Sequence, residues 1–403
     1  MVGLDVGTWK VGVVVAEVGS DGVEITGIGT QPSTGLRKGT VVNIDATVEA
    51  IRKAVEEADL MAGCEIRSVV VGSAGSQLKG FNSHGVVAVK SREVSAGDVE
   101  RVLEAARAVA LPTDREVLHV LPQEFIVDDQ DGIKDPLGMS GVRLEARVHI
   151  VTGAVTAGQN LIRCCNKAGL QVEDVLGGPL AAAEAVLTPE ERELGVALIE
   201  LGGGTTSVIA FQGGAIRHTA VLGVGGGHVT TDLAAALRTP FGDAEKLKQT
   251  YGGALSTSVT DDASIEVAGL GGRPSTRLAL HELAEIVEAR AEETLALVRS
   301  ELERAGCAHG LTAGVVLTGG GSVLGGMPQL AERVFRTPVR LGTPLHLHGL
   351  VDVVASPMYS TAVGLVLHGV ARHARADAGE EWSVLSPLRR AQTRVATWLK
   401  EIF

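Results

Sequence analysis

The chain contains no uninterrupted apolar run of about 18 or more residues, which excludes a membrane-spanning helix. Cysteine is scarce. The four present, Cys64, Cys164, Cys165 and Cys307, have neither metal-ligand nor disulfide-framework spacing. With no signal peptide evident, they read as small buried hydrophobes in a reducing cytoplasm. Positive charge is short as well: 36 Lys and Arg stand against 48 Asp and Glu, a formal net charge of -12. That balance argues against general nucleic-acid binding, which relies on a basic surface. Aromatic residues amount to only 3%. Apolar material is ample, 45% of 403 residues with a mean hydropathy of +0.23, so neither a disordered nor a collagen-like chain fits. Single cores stop growing near ~250–300 residues, so this length calls for two or more domains.

The scarce positive charge is unevenly placed. Residues 387–403 hold Arg389, Arg390, Arg394 and Lys400 against the single carboxylate of Glu401. Leu388, Ala391, Val395, Trp398, Leu399, Ile402 and Phe403 recur there at helical spacing, and Ser386 and Pro387 suit an N-cap and first turn. The pattern predicts an amphipathic helix lying in an anionic membrane surface rather than spanning it. The plainer alternative is a terminal helix packed on the protein's own core. The polar stretch 373–386 reads as a linker that would detach it.

Glycine is abundant, 52 residues, many in clusters: Gly3-Leu4-Asp5-Val6-Gly7-Thr8, Gly202-Gly203-Gly204-Thr205-Thr206, Gly225-Gly226-Gly227 and Gly319-Gly320-Gly321-Ser322. Such clusters at strand ends mark tight turns or close approach to a ligand. The patterning predicts strands Val2–Gly7, Val11–Val18 and Val23–Gly29, a helix Thr47–Leu60 capped by Thr47, and a strand Ile66–Val71. This βββαβ order is half of an α/β nucleotide-binding fold. From Phe81 to about Gly158 the pattern changes to a compact inserted unit. A second half starts at Val196–Leu201 and repeats strand, carboxylate, glycines, threonine, strand. A further insertion over 226–300 ends in a long helix from about Thr276 to Arg304.

Three loops could jointly hold a nucleotide. Gly7, Thr8, Trp9 and Lys10 offer backbone N–H groups and a cation to phosphate oxygens; Gly202, Gly203, Gly204, Thr205 and Thr206 repeat the device. Asp5 and Glu200 precede them and suit Mg²⁺ held through water. Gly319, Gly320, Gly321 and Ser322 would let an adenosine approach the backbone. No P-loop or Rossmann fingerprint is present.

These loops resemble the phosphate-1, phosphate-2 and adenosine motifs of the actin, hexokinase and heat-shock-chaperone ATPase superfamily. Within it, the stretches His119–Phe125, Asp135–Leu144, Thr231–Leu233, Asp243–Lys248, Val316–Gly320 and Tyr359–Leu365 resemble the FtsA family of cell-division actin homologues. The similarity covers residues 2–403. It implies an α/β fold of two RNase H-like halves with inserted subdomains plus the C-terminal amphipathic helix. The implied division is 1–80 with 161–194 (core 1A), 81–160 (inserted 1C), 195–225 with 305–372 (core 2A) and 226–304 (2B). It further implies ATP and Mg²⁺ binding, self-association into filaments, other division-machinery partners, and capture of the FtsZ C-terminal peptide on 2B. The place implied is the cytoplasmic face of the cell membrane at the division site.

By motif, Glu245 and Lys248 would border ribose and base; Arg290, expected to be exposed on the long helix of 2B, would pair with the acidic FtsZ peptide that the resemblance implies. Two departures stand out. Glu200 replaces the usual aspartate, and Gly178 stands before Pro179-Leu180-Ala181-Ala182-Ala183 where active superfamily members place glutamate, so hydrolysis should be slow at most. A small-molecule kinase on the same core, or a PilM-like pilus-assembly protein, is the alternative; neither has use for the cationic tail. His346 and His348 lack further ligands nearby, and Asp128-Asp129-Gln130-Asp131-Gly132 lacks the calcium-loop pattern, so both read as surface features.

Overall fold

Two hairpins of the same design begin the two halves of the computed structural model, which describes residues 1–377 apart from 20–21, 74 and 260–262. The first half runs β1 (Val2–Val6), β2 (Lys10–Gly19), β3 (Gly22–Pro32), the short hairpin β4 (Leu36–Arg37) and β5 (Thr40–Val41), α1 (Ile44–Ala62) and β6 (Ser68–Ser73). An inserted unit follows: β7 (Lys79–Ala88), α2 (Ala96–Arg107), β8 (Arg115–Val127), β9 (Gln130–Ile133) and β10 (Arg143–Ala154). The half is completed by α3 (Val155–Lys167), β11 (Gln171–Gly177), α4 (Gly178–Val186) and α5 (Pro189–Leu194).

The second half starts with β12 (Val196–Leu201), β13 (Thr206–Gln212) and β14 (Ala215–Leu222), then α6 (Gly226–Leu237), α7 (Phe241–Tyr251), β15 (Ser264–Val267), β16 (Thr276–Ala279) and α8 (Leu280–Arg304). It ends with β17 (Gly314–Thr318), α9 (Met327–Phe335), β18 (Val339–Leu341), β19 (His348–Gly349), α10 (Val351–Val354) and α11 (Ser360–Asp377).

The duplication is visible in the sheets. One has the order β11-β6-β1-β2-β3-β19, the other β18-β17-β12-β13-β14-β7-β10-β8-β9. In each, the first strand of the half pairs antiparallel with the second and parallel with a strand that arrives after a helix. The inserted unit is spliced into the first half's chain. Its sheet nevertheless continues the second half's sheet, where Lys79 of β7 meets Ala220 of β14. Helices α4 and α11 pack together with both sheets in a shared core containing Val14, Val70, Leu198, Ile209 and Leu365. Each large side chain so buried contributes roughly 1.5–3 kcal/mol.

Several sequence expectations shift. Helix α1 starts earlier, capped by Asn43, whose Oδ1 accepts from Ala46 N at 3.1 Å; Thr47 is buried in the first turn and donates to Asn43 O. Thr276–Ala279 is a strand paired with β15, so the long helix begins at Leu280. Cys64 is exposed while the other three cysteines are buried. Helix α11 runs through residues 373–377, into the stretch read as linker. The tail positions Leu388, Arg389, Arg390, Arg394, Val395, Trp398, Leu399, Lys400, Ile402 and Phe403 lie outside the described residues. Among the described residues no helix is long and apolar enough to cross a membrane, and no group of three or more His, Cys, Asp or Glu side chains converges as a metal site.

Candidate nucleotide cleft

The turn after β1 closes when Gly7 N donates to Lys10 O at 3.0 Å, and the turn after β12 closes when Gly202 N donates to Thr205 O at 2.9 Å. This equivalence sets Asp5 against Glu200 and Lys10 against Thr205. The turns face one another. A Cβ added to Gly203 would lie 2.6 Å from Trp9 Cβ, and one added to Gly204 would lie 2.7 Å from the Thr8 side chain. Real side chains do not pack that closely, so glycine is what lets the halves approach here.

Behind the turns lie Asp5, Lys10 and Glu200. The Lys10 ammonium is buried, has no hydrogen-bond partner among the described residues, and sits 4.1 Å from the centroid of the Tyr359 ring. Burial lowers its pKa, opposed by the Asp5 and Glu200 charges. Burial raises Asp5, with Lys10 pulling the other way. Glu200 is pushed up to about 7 by burial, offset by a bond from Thr361, raised by Asp5, and lowered by Ser207 and Lys10. The Thr361 hydroxyl donates to this carboxylate from the start of α11. A buried cation without a partner is costly unless something negative answers it. Two carboxylates beside it offer hard oxygen donors of the kind Mg²⁺ accepts through its waters. The residues therefore fit a phosphate chain accompanied by Mg²⁺.

The third loop follows β17. Gly319 takes φ +81 and donates its N–H to Pro357 O at 3.1 Å; a Cβ on Gly321 would come within 3.0 Å of Leu201. Gly320 is open on its free side, with Met358 Cβ 4.0 Å from where a side chain would start. Ser322 turns inward and donates to Gly319 O at 2.7 Å, and Thr206 donates to Val224 O at 2.8 Å. Both hydroxyls brace loops instead of facing the cleft. On α7, Lys248 Nζ donates to Gly226 O, Thr230 Oγ1 and Glu245 Oε2 at 3.1, 2.9 and 2.7 Å, while Glu245 Oε1 accepts from Gln249. Trp9 reaches across to this region: its ring lies 5.8 Å from the Phe241 ring and 5.5 Å from Lys248 Nζ.

Arg290 sits apart on α8. It is half-buried and already paired, with Asp232 through two nitrogens and with Glu293 at 2.5 Å. The expectation of an exposed, available guanidinium is corrected: Asp232, one helix away on α6, engages it. Sequence reasoning missed Thr361, Ser207 and Tyr359. Thr361 and Tyr359 lay inside a quoted motif, but no spacing rule places them beside residues so remote in the chain.

Comparison with known proteins follows the same lines. Residues 75–152 match the model of the SHS2 domain inserted in FtsA, and residues 197–364 match that of cell division protein FtsA. The chain is 48% identical to cell division protein FtsA of Pseudomonas aeruginosa, covering 100% of this chain and 98% of that protein. It is 41% identical to the Escherichia coli K12 protein of the same name, with the same shares covered. Among solved structures, the PilM–PilN type IV pilus biogenesis complex superposes with TM-score 0.65 at 18% identity, covering 92% of this chain and 98% of that one. MreB 5 of Spiroplasma citri bound to AMPPNP gives 0.59 at 13% identity, with 94% and 98% covered. These neighbours share the actin-like ATPase fold. The chain belongs to the FtsA family of cell division proteins.

Proposed function

We propose that this protein is an ATP-binding, actin-like adaptor that polymerises and tethers FtsZ filaments to the inner face of the cytoplasmic membrane at the division site. The observation that carries the nucleotide part is the buried Lys10 ammonium, without a hydrogen-bond partner among the described residues, behind two facing glycine turns. ATP would lie between Gly7–Lys10 and Gly202–Thr205, its adenosine against Gly319–Gly321 and bordered by Glu245. Asp5 and Glu200 would hold a Mg²⁺ ion, which would supply charge neutralisation for the phosphates. Lys248 spends its donors on Gly226, Thr230 and Glu245, so its role is to hold Glu245 in place. Glu200 is one methylene longer than aspartate, and Thr361 orients it. Gly178, at the start of α4, offers no group to orient an attacking water, which favours a nucleotide-gated scaffold over a fast ATPase.

The FtsZ peptide is assigned to residues 226–304. An acidic peptide there would share the Arg290 guanidinium with Asp232 and Glu293. The tail 387–403 supplies the membrane anchor, and filament formation multiplies its weak attachment by avidity. Co-sedimentation of FtsZ polymers with anionic vesicles tests the whole reading. FtsZ should pellet with vesicles only when the full-length protein and Mg·ATP are present. A version ending at residue 386 that recruits FtsZ equally well would overturn the tether.

A further inference from the structure

Lys38 is a second cation at this cleft, outside every glycine turn. It occupies the tip of the β4–β5 hairpin with φ +50, a left-handed conformation that lysine seldom adopts. Two backbone bonds hold it there: Gly39 N donates to Thr8 Oγ1 at 2.8 Å, and Ser76 N donates to Lys38 O at 3.2 Å. Lys38 and Gly39, at φ +50 and +72, form the two-residue loop of the hairpin, whose turn requires positive φ at both positions and so fixes where the lysine chain starts. The side chain is exposed and crosses from the first half to the second. A Cβ built on Gly223 would lie 3.2 Å from Lys38 Cδ and 3.5 Å from its Nζ. Gly223 leads into Gly226 and Gly227, whose N–H groups brace the second turn by donating to Gly202 O at 2.9 Å and Gly203 O at 2.7 Å. Among the described residues Lys38 makes no ion pair.

The two residues at the tip of the first turn define the direction. Trp9 leans toward Phe241 and Lys248, the flank of the nucleoside, while Thr8 leans toward Gly39 and Gly204. Lys38 therefore stands on the flank away from the nucleoside, and the phosphate furthest from a nucleoside is the terminal one. We infer that Lys38 is the specificity-determining cation by which this cleft distinguishes a nucleoside triphosphate from a diphosphate. The inference rests on the nucleotide reading given above. Lys10 is buried behind the turns and serves any phosphate chain; Lys38 answers the extra charge that only a triphosphate carries.

Calorimetric titration of the full-length protein with Mg·ATP and with Mg·ADP tests this. Lys38→Met should weaken Mg·ATP binding roughly tenfold or more and leave Mg·ADP within about twofold, as expected for losing one charge-assisted contact. Arg37→Met, which removes the adjacent exposed cation, should alter neither. Gly223→Val keeps the charge but displaces the lysine chain, and should reproduce the selective loss even if Lys38→Met folds poorly. Equal losses for both nucleotides, or unchanged Mg·ATP affinity in both variants, would overturn the role of Lys38 while leaving the cleft intact. A wild-type protein that binds neither nucleotide would overturn the cleft itself, and the inference with it.

Discussion

Gly320 shows how much the cleft depends on a missing side chain. Its free side is open, its φ is not positive, and the nearest atom to a new Cβ is Met358 Cβ at 4.0 Å. Gly320→Phe should therefore fold normally, with Tm within a few degrees of wild type, yet fill the space assigned to adenosine and reduce ATP affinity about a hundredfold. Unchanged affinity would remove this loop from the site. Two buried histidines make a second prediction. Burial pushes His149, bonded to Asn82 Oδ1 at 2.7 Å and Thr219 Oγ1 at 2.9 Å, down to about 4, and His119, which accepts from Gly177 N, down to about 4 as well. Unfolded histidine takes its proton near 6.5, so the stability these groups contribute is complete above that pH and lost as pH falls toward 4, by up to about 3 kcal/mol each. Glu200 works in the opposite sense: its raised pKa gives stability present below about 4.5 and lost as pH rises through 7. Denaturant titrations between pH 4 and 8 should show a shallower acid loss for His149→Asn and a flatter neutral-side decline for Glu200→Gln. Parallel curves for wild type and variants would contradict both assignments.

At the scale of elements, the contact between α4 and α11 governs how the halves are joined. Every residue of helix α4 except Glu184 is buried, and a Cβ on Gly364 of α11 would collide with the Ala181 carbonyl. Gly364→Val should cost about 3 kcal/mol or more, since backbone must move to admit it; a urea midpoint near wild type would show that the helices can slide apart freely. The β-branched runs and glycine turns made the two opening hairpins legible from the sequence, and strand β12 stands where it was expected. Helix α6 was not legible: it opens on Gly225-Gly226-Gly227, and its start is held by Gly225 N donating to His228 Nδ1 and by Gly226 N and Gly227 N donating to Gly202 O and Gly203 O of the second turn. Thr276–Ala279 carries charge and apolar residues compatible with the helix that follows, and only pairing with β15 makes it a strand. Arg290 failed as an exposed group for a similar reason, because its partner Asp232 sits on a different helix. In each case the deciding contact is tertiary.

At the scale of the molecule, two matching half-sheets place Asp5 and Glu200 at equivalent points and bring them, through opposed turns, to one buried lysine. The inserted unit extends the second half's sheet, and Gln123 of β8 donates to Ile216 O of β14 at 2.6 Å, strengthening that tie. If a nucleotide closes the cleft, the unit should follow the second half. Hydrogen exchange with and without Mg·ATP should then slow at both glycine turns while the β7–β14 junction stays equally protected; loss of protection there would mean the unit moves with the half that carries its chain. The proposed contact of Lys10 with phosphate decides the nucleotide reading. Calorimetric titration of Mg·ATP into wild type and Lys10→Met measures it directly. Wild type should show saturable one-to-one binding and the variant a loss of one to two orders of magnitude, the worth of a buried charge-assisted contact; equal affinities in the two proteins would rule out this role for Lys10.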